Sequence, residues 1–273
     1  GSTIRINGDV VEVGKSVSSK TARRVAVVIS LIVGVIFGSQ FNANWSEILL
    51  MFNAQSFGTT DPQFGLDNGF YVFVLPGLKL VLAAVAMLLG VGLVFSVVTH
   101  VLMGGIRITM PVNGRGLFSI TKRCRRQLGI WLMLNMFAWA ARQMIGVFDQ
   151  LTVQGSRITG ASYTAVHANI PVTFIMAALT AILGVVLGIW LMRSHTLEGQ
   201  ASIGVRASAA LKAWRVPVTS IAVVVVVGLV LTVAWPVLLQ RFRVNPNAQE
   251  MESTYIQRNI DATRAAYGLD KLK

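Results

Sequence analysis

Long apolar runs separated by short polar stretches dominate this sequence. A helix needs about 20 predominantly apolar residues to cross the hydrocarbon core of a bilayer. Five segments qualify, at about 25–52, 78–103, 128–148, 171–192 and 216–239. The first opens after Arg24 with VAVVISLIVGVIFGS, which is short as a fully apolar run. It is read as continuing in helix through Asn42, Trp45 and Glu47 into Ile48–Phe52, with the tryptophan suited to the headgroup level. The fifth carries the run Val223–Val227, typical of a lipid-facing or fully buried span. The expected fold class is all-α, a polytopic transmembrane helical bundle with five spans in this chain.

The polar stretches between the runs alternate in charge. Lys15, Lys20, Arg23 and Arg24 precede the first run. The next loop, 40–75, holds only Glu47, Asp61 and Asp67. The one after it holds Arg107, Arg115, Lys122, Arg123, Arg125 and Arg126 and no acid. A nearly neutral loop follows, and then a basic one with Arg193, Arg206, Lys212 and Arg215. Lys and Arg stay on the cytoplasmic side during insertion, so five passes would put Gly1 inside and Lys273 outside. Three sections follow: a cytoplasmic segment 1–24, a bundle 25–240 and an extracytoplasmic neck 241–273. Arg241 and Arg243, on the outer side, run against the rule but are outnumbered.

Composition agrees with that picture. Hydrophobic residues make up 54% of the chain and charged ones 13%, against roughly 25% charged in soluble domains. Mean hydropathy is +0.64. The net charge of +13 sits beside apolar runs and accompanies no nucleic-acid-reading motif, so it is assigned to anionic headgroups and no nucleic acid is expected. The single cysteine, Cys124, excludes an internal disulfide and is read as a passive thiol. The chain opens at Gly1 without a methionine or a signal-peptide pattern, and more sequence is expected before it.

Few residues are placed for chemistry. No HExxH, GxSxG, P-loop or CxxC pattern occurs, and no catalytic residue, cofactor or metal is expected. Asp61 and Asp67 have the right chemistry for calcium, but their spacing matches no EF-hand loop. Inside the runs, Asn135, Trp139 and Arg142 share one helical face as candidate intramembrane polar residues. Asn135 is read as interhelical glue, and Arg142 as snorkelling or pairing with Asp149. No acid lies mid-span, which argues against a proton-coupled carrier. The glycines at 34 and 38, 90 and 92, and 184 and 188 are read as packing positions.

The distinctive sequence lies in the loops assigned outside. Asp61–Pro76 reads DPQFGLDNGFYVFVLP, turn chemistry followed by an aromatic girdle. Gly160–Pro171 reads GASYTAVHANIP. Phe242–Asp270 turns at Asn245–Pro246–Asn247 and then has helix-forming residues with Met251, Ile256, Ile260 and Ala265 as an incomplete apolar stripe, ending at Gly268. These three stretches closely resemble the signature segments of uncharacterised protein family 0182, found mainly in actinobacteria, with a fit from about Arg24 onward. The resemblance implies seven membrane helices followed by a large extracytoplasmic domain. Phe242–Asp270 would then be the neck leading into that domain. Gly1–Arg24 departs from the family pattern, and the final DKLK has no counterpart in it. The family supplies no catalytic residues.

The expected function is that of a plasma-membrane protein that anchors and orients an extracytoplasmic domain, as an envelope scaffold or complex subunit, with no enzyme activity in this segment. Its expected partners are membrane lipids, its own further helices and exported domain, and other envelope proteins or further copies of itself. The three outer segments are expected to form one cap. Its candidate interaction residues are Asp61, Phe64, Asp67, Phe70, Tyr71, Tyr163, Arg243, Asn245, Tyr255, Arg258 and Arg264. The alternative is a transporter or lipid-handling component with a path lined by Asn135, Trp139 and Arg142.

Overall fold

In the computed structural model the residues described are 2–6, 9–13, 19–108, 118–152, 160–194 and 203–269. Lys15, Arg115 and the DKLK stretch, all used above, lie outside them. The architecture is helical. Its long elements are α1 (Ser19–Phe52), α2 (Leu75–Leu102), α3 (Lys122–Gly146), α4 (Ile170–Arg193) and α5 (Ile203–Leu229). The short α6 (Trp235–Leu239) and the amphipathic α7 (Ala248–Ala266) complete the helices. Two local antiparallel hairpins accompany them. One pairs β1 (Ser2–Ile6) with β2 (Asp9–Val13), and the other pairs β3 (Ile106–Ile108) with β4 (Phe118–Ile120).

Among the described residues three helical segments, not five, are long and apolar enough to cross a membrane: Phe70–Leu102, Ala165–Arg193 and Trp214–Val244. A fourth exists only if Arg23–Ser39 and Ala43–Phe52 count together, because they are bent by 64° at a break. Asn44 leaves helical geometry there (φ −124°, ψ 19°), so the continuous first helix expected from the sequence is broken. The expected third span forms α3, but Asn135, Arg142 and Gln143 dilute its apolar stretch, and it falls short. In the most apolar windows of Phe70–Leu102 and Trp214–Val244 only 6% of residues are buried within the protein. Their hydropathy is therefore turned outward.

Two of these helices start earlier than their apolar runs suggest. FYVFV (Phe70–Val74) and AVHAN (Ala165–Asn169) are wide π-helical turns that lead directly into α2 and α4. Val230–Ala234 and Gln240–Val244 are wide turns as well. Each of the four ends two residues before a proline: Pro76, Pro171, Pro236 or Pro246. The residue just before the proline bonds back five positions, Leu75 to Phe70 and Ile170 to Ala165, for example. Proline lacks an N–H and its ring collides with the carbonyl four residues earlier; widening the preceding turn relieves that clash while the helix continues.

The chain divides into two compact units. The first comprises Gly1–Ser46, Ala84–Asn135 and Val185–Val218. Its core is Ile120, Cys124 and Leu128, against which Leu93, Ile106 and Leu191 pack. Arg125 is fully buried and donates to the Ser194 carbonyl. Gly129 and Gly188 let α3 and α4 touch: a Cβ on Gly129 would stand 2.8 Å from the Gly188 oxygen. The second unit comprises Glu47–Ala83, Met136–Gly184 and Thr219–Lys273. Within it Gln143 donates to Thr180 Oγ1 at 3.1 Å, joining α3 to α4. A Cβ on Gly77 would lie 2.8 Å from Met51 Cβ, so α1 and α2 approach closely there.

Candidate functional site

The site is built in the second unit around Asp61. Its carboxylate is 9% exposed and accepts the backbone N–H groups of Gln63 (2.7 Å), Phe64 (2.7 Å) and Leu66 (3.0 Å). The Tyr71 hydroxyl donates to it as a fourth bond, at 2.8 Å. Gly65 closes the turn at φ +69°, left-handed backbone that a side chain would strain, and its N–H returns to the Asp61 carbonyl at 3.0 Å. Asp67 organises the other side of the loop. It accepts from the Ser56 hydroxyl (2.5 Å) and from the N–H groups of Gly69 (2.6 Å), Phe57 (3.0 Å) and Gly58 (3.1 Å). The Ser56 hydroxyl first, then the Phe57 and Gly69 amides, hold its pKa down at about 2.

Behind the loop, Phe64 and Phe70 meet Phe148 edge-on, with ring centroids 5.0 and 5.3 Å apart. In front of it lies α7. The neck turns at Asn245–Asn247, where Gln240 donates its side-chain amide to Asn245 Oδ1 at 3.0 Å. The helix ends as its sequence indicates, with Gly268 at φ +65°. Its inward face differs from the expected stripe, because Glu252 is buried while Ile260 is exposed. Glu252 Oε2 accepts the Tyr163 N–H at 3.2 Å. The Tyr163 ring stacks on His167 at 4.0 Å and meets Tyr255 edge-on at 6.2 Å. Burial raises the Tyr255 phenol pKa despite the nearby Arg258 guanidinium, which lies 5.6 Å from its ring centre.

Between loop and helix lies a cleft of about 890 Å³. Of the expected residues, Asp61, Tyr71, Tyr255 and Arg258 line it. Phe64, Asp67, Phe70 and Tyr163 support its walls from behind through the contacts given above, whereas Asn245 lies apart in the turn before α7, bonded to Gln240. Arg243 and Arg264 are exposed and lie outside the lining. Thr59, Asn68, Asn259 and Asp261 also line it and were missed. Asn68 was within reach, since it stands inside the quoted DPQFGLDNG motif. Asp261 was signalled only by its position one turn after Arg258.

The intramembrane set does not gather into a path. Asn135 donates its amide to the Trp131 carbonyl (2.8 Å) and the Leu89 carbonyl (3.0 Å), joining α3 to α2 as glue. Trp139 is 57% exposed, and Arg142 lies 5.9 Å from its ring centre. Asp149 pairs with Lys79 at 2.9 Å, not with Arg142. Among the described residues no three His, Cys, Asp or Glu side chains stand close enough to hold a metal ion. The oxygens of Asp61 and Asp67 are occupied by backbone donors. Cys124 is buried at the start of α3, and desolvation raises its pKa, so it is no activated thiolate.

Fold and site together define a helical protein with several membrane-length apolar helices and a largely apolar cleft, set with a few polar and aromatic side chains, between a loop and an amphipathic helix. The chain belongs to uncharacterised protein family UPF0182, whose model matches residues 3–273. The match therefore reaches back through the segment that had looked divergent. A UPF0182 protein of Bifidobacterium adolescentis is 80% identical over the whole chain, which covers 25% of that protein. UPF0182 proteins of Kocuria rhizophila and Corynebacterium glutamicum are 36% and 34% identical over 90% of the chain and 23% of their own lengths. The chain thus spans about a quarter of the length of these relatives. No solved structure matches it.

Proposed function

We propose that this segment is the membrane anchor of a longer cell-envelope protein, and that its second unit is the mount from which an extracytoplasmic portion is held. The observation that carries this reading is the outward-facing hydropathy of Phe70–Leu102 and Trp214–Val244. Side chains such as Val94 and Leu229 are 63% and 59% exposed, which water would penalise and hydrocarbon would not. The basic stretches fall at the N-terminal end of α1, from beyond α2 into the first turns of α3, and from the end of α4 into the first half of α5, which supports a cytoplasmic placement for them. The loop and α7 contain few basic residues by comparison, and the same rule puts them outside.

The role of the second unit is structural and recognitive, not catalytic. Asp61 is saturated by four donors and Asp67 by a further four, so neither is available as a proton acceptor in this arrangement. Buried Glu252 ties α7 to the backbone at Tyr163, giving whatever follows α7 a fixed point of departure. Single cysteines introduced into the full-length protein test the reading. Asn247→Cys should react with an impermeant maleimide in intact cells, and Lys122→Cys only after permeabilisation. The reverse pattern, or release of the protein from membranes by alkaline carbonate, would overturn it.

A further inference from the structure

A second cavity, of about 650 Å³, lies wholly in the first unit between α1, α2 and α3. Its walls are apolar: Val33 and Phe37 from α1, Leu88, Val91 and Phe95 from α2, and Trp131 from α3. One end is polar, where Thr99, His100 and Gln127 line it. His100 Nε2 and Gln127 Oε1 lie 3.0 Å apart there. Between the polar end and the apolar walls sits Ser96, 5% exposed. Its hydroxyl has no hydrogen-bond partner among the described residues. Thr99, one turn away, donates to the Phe95 carbonyl at 2.8 Å, the usual way a helical hydroxyl is satisfied. A buried donor left open beside a cavity calls for an acceptor within that cavity.

Charge tells what kind of molecule brings the acceptor. Arg123 stands one turn before Gln127 and two before Trp131 on α3, so it shares their face. Arg23 stands two turns before Ser30, another lining residue, on α1. Both arginines are exposed. No acid occurs in α1 as far as Ser46, in α2 from Ala84, or in α3 as far as Asn135. Beyond the cavity lining, the faces of α1 and α3 thus continue into two arginines, and no carboxylate from these helices offsets them. At Gly34 the wall is open: a Cβ there would meet nothing within 4 Å.

We propose that this cavity holds one acyl chain of an anionic glycerophospholipid, resting on the membrane-anchor reading above. The phosphate lies toward Arg23 and Arg123, beside His100 and Gln127. An ester carbonyl accepts the Ser96 hydroxyl about one helical turn deeper. The chain then runs along Phe95, Val91 and Leu88, over roughly 12 Å of helix from Ser96. The site recognises a headgroup charge and an ester together, which distinguishes it from the plain outward faces of the other helices.

The test reconstitutes the full-length protein into phosphatidylcholine vesicles with a trace of phosphatidylglycerol bearing a diazirine on its acyl chain. Crosslinked residues are then mapped by mass spectrometry. Labelling should concentrate on Val33, Gly34, Leu88 and Val91, and excess unlabelled phosphatidylglycerol should displace it where phosphatidylcholine does not. Gly34→Phe should abolish it by filling the open wall. Arg123→Gln and Arg23→Gln should each weaken the competition about fivefold, the usual worth of one cation at an anionic headgroup. The proposal is overturned by labelling that is indifferent to headgroup, or that spreads over the outward faces of α4 and α5 and ignores Arg123→Gln. Failure of the protein to insert into the vesicles would instead overturn the membrane-anchor reading itself.

Discussion

Asp61 and Asp67 look alike in the sequence, two acids in a glycine-rich loop, and the turn signals around them were legible. Their environments separate them. Asp61 is buried and holds three amides and a phenol. Asp61→Asn keeps the shape but turns an NH₂ group toward one or more of those donors. Loss of a charge-assisted bond with a buried donor left open costs about 2 kcal/mol. The variant should melt correspondingly earlier in detergent and be cut sooner by protease between residues 57 and 72. Asp67 is half-buried, and its effect is read with pH. Its pKa falls from 3.8 to about 2 on folding, so its contribution is complete above about 4 and disappears as pH drops from there to about 2. An NMR titration should find loop order lost across that window in the native protein, and Asp67→Asn should remove the dependence. The residue scale also holds the plainest miss. Periodicity pointed to Met251, Ile256, Ile260 and Ala265 as the apolar stripe of α7; Met251 and Ile256 are half-buried and Ala265 lines the cleft, but the buried residue of the helix is Glu252 and Ile260 is exposed.

At the scale of elements, helix existence followed from apolar length, while helix continuity depended on a few positions. Asn44 breaks α1, and prolines at 76, 171, 236 and 246 each follow a widened turn. The sequence contained both signals, but whether a proline ends, kinks or merely widens a helix depends on what supports the freed carbonyls. The glycines divide in the same way. Gly188 meets Met133 Cγ, which a Cβ would approach to 2.2 Å, and the Gly129 oxygen, at 3.0 Å, whereas Gly34 and Gly38 meet nothing within 4 Å. Gly188→Ala should therefore destabilise the first unit by about 1–3 kcal/mol through overpacking. Gly34→Ala should leave its thermal midpoint unchanged or slightly raised, since alanine is the better helix former. Equal effects at the two positions would contradict the packing described.

For the whole molecule the decisive quantity is apolar surface that no part of the chain covers. Leu229, 59% exposed within Trp214–Val244, is the sharpest place to ask what does. If it faces hydrocarbon, Leu229→Lys costs about 2.5–3.5 kcal/mol on insertion, and cell fractionation should find the variant depleted from membranes. Thr254→Lys, on the exposed face of α7, should leave the distribution unchanged. By itself the sequence determined that the chain is helical, which stretches are apolar, the sign alternation between them and, through three loop motifs, the family. These are properties of composition and local spacing, carried by each segment alone. Only the tertiary structure decided that three helices among the described residues pass the length and hydropathy test, that Asn135 joins two helices, and that the loop at Asp61 and α7 enclose a cleft. It alone placed a buried Ser96 beside an apolar cavity whose lining faces continue into two arginines. Those facts depend on which side chains meet across long separations, and hydrogen-bond satisfaction and close packing settle that only once every helix has its neighbours.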